Sequence, residues 1–164
     1  MVVVAVIAIL ASLMVGISIR PYGANGQAVA EQMQGALAFA RMRAVASRRP
    51  HRVQFLIDTN GDQYLTVDQL STTGMKIPSS PTWQRVQYTR FPKSVILWSA
   101  QAGAQTGSGS TPTQNANLPY DVFYKPDGTA TASTIFVRDR ANAVHYYRVY
   151  VYQATGSSYV REAW

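Results

Sequence analysis

Residues 2–19 read Val-Val-Val-Ala-Val-Ile-Ala-Ile-Leu-Ala-Ser-Leu-Met-Val-Gly-Ile-Ser-Ile, without one charged side chain. In apolar surroundings a single segment satisfies all its backbone polar groups only as a helix, so this run constrains the chain more than any other feature. At 1.5 Å per residue its eighteen residues span about 27 Å, close to the hydrocarbon thickness of a bilayer. The side chains expected to face lipid or other apolar helices are Val2, Val3, Val4, Val6, Ile7, Ile9, Leu10, Leu13, Met14, Val15, Ile17 and Ile19. Arg20 ends the run and serves as an interfacial anchor. A buried core helix would carry a polar face somewhere. A secretory signal would need a basic segment before the run and a small-residue cleavage site after it. Neither pattern is present, and residues 1–20 are read as a transmembrane helix.

Residues 21–26, Pro-Tyr-Gly-Ala-Asn-Gly, combine a helix breaker with two glycines, so Pro21, Gly23 and Gly26 form a joint. The helical period then resumes. Asn25 is placed to cap it, and Val29, Met33, Leu37 and Ala40 recur at three- and four-residue spacing on one face. An amphipathic helix is expected over 27–49, because the residue before Pro50 is pushed out of the α region.

From residue 50 to the end the period changes to alternation. Strands are expected at 51–58, 64–69, 86–91, 95–99, 121–124, 134–138, 144–153 and 158–162. Asn60-Gly61 between the first two is a hairpin signal. Lys125-Pro126-Asp127-Gly128 reads as a turn, and residues 101–118, rich in Gly, Ser, Thr, Gln and Asn, as an exposed loop. A long helix followed by short antiparallel strands is an α+β pattern, with the second helical half packed across a sheet. There are no cysteines, which removes disulfides, thiolate metal sites and cysteine nucleophiles.

Several segments resemble one family. Met1 through Ser12 is similar to the N-terminal helix of type IV pilins and pseudopilins, and Pro21 to the helix-bending proline that follows it there. Ala36 through Ala46 with Arg48 and Arg49, and Phe123 through Ala130 with Ile135-Phe136-Val137, resemble the minor pseudopilins of type II secretion and related minor pilins. The Gly-Phe-Thr-Leu-Ile-Glu-Leu that family members carry just before the apolar tract is missing from this sequence. A start site placed too late, or trimming, is the expected reason. A second departure is Thr129, where the family often has arginine. The resemblance implies a pilin-like α+β fold, a single pass through the inner membrane with a periplasmic β domain, and assembly with other pilin or pseudopilin subunits.

Asp58, Asn60 and Asp62 resemble the first half of a calcium loop, but no glutamate stands at the twelfth place, and a hairpin turn is the simpler reading. His51 and His145 lie near no acidic pair and read as solvated strand residues. No nucleophile elbow or phosphate loop is found, so no enzyme, cofactor or small-molecule substrate is expected. Arg41, Arg43, Arg48, Arg49 and Arg52 are the one dense basic cluster in a chain of net charge +7. They read as a solvated helix end. Joined by Arg161, they would otherwise form a phosphate-binding strip.

Three functions compete. The favoured one is a structural subunit of a type II secretion pseudopilus or type IV pilus, held in inner-membrane lipid before assembly. The others are a DNA-binding minor pilin and a membrane-tethered periplasmic binding module.

Overall fold

The computed structural model describes residues 26–104, 113–114, 118–141 and 146–162. The expected transmembrane run, Pro21, Gly23, His145 and most of the 101–118 loop lie outside the described residues.

Helix α1 runs Gly26–Ser47. Its start is fixed from outside, since the Gly26 amide donates to a carboxylate oxygen of Asp139, far along the chain. Its end follows the sequence logic: Arg48 turns into the left-handed region at φ +53°, and Pro50 follows. The expected face is the one that packs, with Val29, Met33, Leu37 and Ala40 all buried together with Ala36 and Ala44.

Among the described residues, eight strands form two four-stranded antiparallel sheets, with orders β3-β2-β1-β5 and β4-β6-β7-β8. The first holds β1 His51–Ile57, β2 Gln63–Leu70, β3 Trp83–Arg90 and β5 Tyr120–Tyr124. The second holds β4 Val95–Ala102, β6 Ser133–Asp139, β7 Tyr146–Val151 and β8 Ser158–Glu162. Period-2 alternation decides what faces the helix. On the first sheet Val53 and Phe55 pair with Val67 and Leu65, and all four are buried. On the second, Ile135 and Val137 pair with Val149 and Tyr147 in the same way. Strands of both sheets pack on α1, so the one helix closes a core that neither sheet could close alone.

The sheets are also tied directly. The Leu97 amide donates to the Gln63 side-chain oxygen at 2.6 Å, and the Tyr120 hydroxyl lies 3.1 Å from that of Ser133.

Candidate functional site

The helix has two apolar sides. Besides the buried face, Gly35, Ala38, Met42 and Val45 point outward, and α1 is therefore not the one-striped amphipathic helix expected from spacing. Met42 is 61% and Val45 49% exposed. These residues form one wall of a groove of about 900 Å³, whose other wall is Gly156–Tyr159 at the start of β8. Gln34 crosses it at one point, donating to the Ser158 carbonyl at 2.9 Å.

Two turns meet under this groove. Gly128 and Gly156 both have positive φ, +83° and +61°. A Cβ on Gly156 would come within 2.3 Å of the Gly128 carbonyl oxygen and 3.3 Å of the Arg41 side chain. The backbones of the β5–β6 and β7–β8 turns therefore touch, and Arg41 passes beside them. Gly26, expected in the joint, lies within helix α1. A Cβ there would meet the Tyr147 ring at 2.7 Å.

The structure divides the arginine cluster. Arg41, Arg43 and Arg48 are exposed at the C-terminal end of α1 and Arg49 is half-buried. Arg41 and Arg43 are two residues apart and so point to different sides of the helix. Arg52 lies on the opposite face of the first sheet from α1. There it pairs with Asp68 at 2.9 Å and Asp121 at 3.5 Å, and lies 4.8 Å from the centre of the Trp83 ring. Arg161 is on β8, directly across from Arg148 on β7. The six arginines thus make no continuous strip, because Arg52 is neutralised locally and Arg161 belongs to the other sheet.

The Asp58–Asp62 segment is a turn that uses its own oxygens. Asp58 Oδ1 accepts from the Asn60 and Asp62 amides at 2.9 and 2.8 Å, while Gly61 takes φ +76°. The Asp62 carboxylate is bonded to Arg90, a contact that holds it below the usual carboxylate range. One carboxylate oxygen each of Asp58 and Asp62 is thus engaged within the turn and by Arg90, and among the described residues no group of three or more acidic, cysteine or histidine side chains is placed to hold a metal.

His51 corrects the reading of a solvated strand residue: it is fully buried. Its parity with Val53 and Phe55 was the available signal, since all three point to the same side of β1. Two features had no such signal. The outward apolar seam was hidden because spacing alone does not say which of two apolar stripes packs, and the apposed turns because they are 28 residues apart.

A single long helix laid across two antiparallel sheets is the pilin-like class of fold. The sequence model of the type II transport protein GspH matches residues 29–156, more than three quarters of the chain, and the chain belongs to that family. Two structures of the minor pseudopilin EpsH from the type II secretion system of Vibrio cholerae share the fold. One is 17% identical, covering 84% of this chain and 96% of that one, with a TM-score of 0.54. The other is 18% identical, covering 82% and 90%, with a TM-score of 0.52. No curated protein sequence matches at a significant level.

Proposed function

We propose that the chain is a minor subunit of a type II secretion pseudopilus, acting by assembly and not by catalysis. The observation that carries the reading is the family match over residues 29–156, which begins ten residues after the uncharged run ends. In this reading residues 2–19 hold the subunit in the inner membrane. They then exchange lipid contacts for contacts with other apolar helices, where close packing of small residues replaces the hydrophobic drive that lipid does not supply. The β domain stands in the periplasm and sets partner choice. The rigid seating of α1 across both sheets lets a force on the helix move the whole domain.

Fractionation of cells expressing the full chain and a version without residues 2–19, given a secretory signal for export, tests this. The full chain is expected in the membrane and in crosslinked adducts with other pseudopilin subunits. The shortened one is expected as a folded, free periplasmic protein. Adducts that persist without residues 2–19 would defeat the proposal.

A further inference from the structure

The C-terminal end of α1 meets a loop that is longer than its task requires. Strands β2 and β3 are antiparallel neighbours, and a turn of about two to five residues would join them. They are joined instead by residues 71–82, all of them exposed. Long connections without secondary structure of their own are usually functional. The Ser71 amide donates to the Thr82 carbonyl at 3.0 Å and closes the base of this loop. The Gly74 amide donates to the Arg48 carbonyl at 3.3 Å and ties the loop to the end of α1. With the β5–β6 turn, these segments line a pocket of about 640 Å³.

The pocket combines apolar walls with positive charge. Val45, Met75 and Pro126 line it. Val45 and Met75 each stay 49% exposed, and Ile77, two residues on, 38%, so a partner that covered them would gain by it. Arg48 also lines the pocket, and Lys76 and Lys125 are the chain neighbours of Met75 and Pro126. All three cations are exposed, and none has an ion pair among the described residues. The one carboxylate in the lining, Asp127, has an oxygen engaged by the Thr129 amide and hydroxyl at 2.9 and 2.7 Å. The negative pole of α1 accounts for Arg48, but its field fades within a turn, and Lys76 and Lys125 belong to other segments.

We propose that this pocket docks an acidic peptide segment of another protein, one that carries an apolar side chain between its carboxylates. Arg48, Lys76 and Lys125 select the acidic character, and Val45, Met75 and Ile77 the apolar one. A second copy of this chain has no such segment, because its eight acidic residues are scattered, no two of them closer than four positions. A nucleic-acid backbone follows a groove of successive cations, and it would leave the apolar side chains uncovered. The inference goes beyond the assembly reading and does not depend on it, since residues 2–19 take no part.

The probe is a fluorescein-labelled peptide of glutamates around one central leucine, titrated by anisotropy against the full chain in detergent. Binding is expected. Changing the leucine to serine, or the glutamates to glutamine, is expected to weaken it about tenfold or more. In the chain, Lys76→Glu and Lys125→Glu should each weaken it about tenfold, with the loss greatest at low salt. Met75→Ser should weaken it severalfold and leave its salt dependence unchanged. Lys93→Glu, on the exposed β3–β4 connection, changes net charge equally and should leave binding nearly intact. All these positions are exposed, so the variants should melt with the wild type in circular dichroism. Equal weakening by Lys93→Glu would reduce the effect to net charge and overturn the pocket. Tighter binding of a single-stranded oligonucleotide, lost with Lys76→Glu, would make the surface a nucleic-acid one and overturn the peptide. Absence of binding by the glutamate–leucine probe would overturn the proposal outright.

Discussion

Tyr124 carries its ring into the core, and its hydroxyl has no hydrogen-bond partner among the described residues. Burial pushes its ionisation well above the ordinary phenol value. An unpaired buried hydroxyl costs free energy that a phenyl ring would not, so Tyr124→Phe should stabilise the domain by about 1 kcal/mol in denaturant unfolding. A destabilisation of that size would show that the hydroxyl has a partner. His51 gives the pH response. Its Nδ1 lies 3.0 Å from the Arg49 carbonyl, which only accepts, so Nδ1 carries the proton and Nε2 is left bare and buried. Burial is the main cause that lowers its pKa from the ordinary 6.5, with Arg43 adding to it against the Arg49 bond. With the folded value depressed, the unfolded chain binds the proton first. Stability is full above about pH 6.5 and falls as pH drops through the folded value, at up to about 1.4 kcal/mol per pH unit. Unfolding midpoints taken from pH 7.5 to 5 should show this slope, and His51→Phe should flatten it. Equal slopes in both proteins would place the titration elsewhere.

At the scale of elements, the β5–β6 and β7–β8 turns depend on Gly156. Alanine there would occupy a positive φ and press a methyl against the Gly128 carbonyl, so Gly156→Ala should cost about 2–4 kcal/mol, several times the cost of an ordinary surface change. Near-wild-type unfolding would mean that the turns separate readily. Most elements were legible in the sequence. Pro50 ends the helical run, the spacing of Val29, Met33, Leu37 and Ala40 marks the packing face, and Asn60-Gly61 announces the first hairpin. Strand β3 was read three residues short, because Trp83-Gln84-Arg85 has little alternation and is held by pairing to β2 across a bulge at Val67/Asp68. The split into two sheets was not legible. Pairing of β1 with β5, across more than sixty residues, is decided by which strand reaches which edge, and local pattern carries no record of that.

For the whole molecule, one helix seated on two sheets makes α1 and the β strands a single mechanical body. Among the described residues no helix is long and apolar enough to cross a membrane, and the expected anchor, residues 2–19, lies outside them. The candidate site was legible only in part. The arginines read as a solvated helix end, and that holds for Arg41, Arg43 and Arg48; strand parity sends Arg52 to the far face of the first sheet, and chain topology places Arg161 on the other sheet. The outward seam became visible once the buried stripe had been assigned. The most direct test of a role in type II secretion is disruption of the gene, with export of the cell's type II substrates followed across the outer membrane. Substrates should accumulate in the periplasm, and export should return with the full chain but not with a version lacking residues 2–19. Export unchanged by the disruption, or restored equally by both versions, would contradict that role.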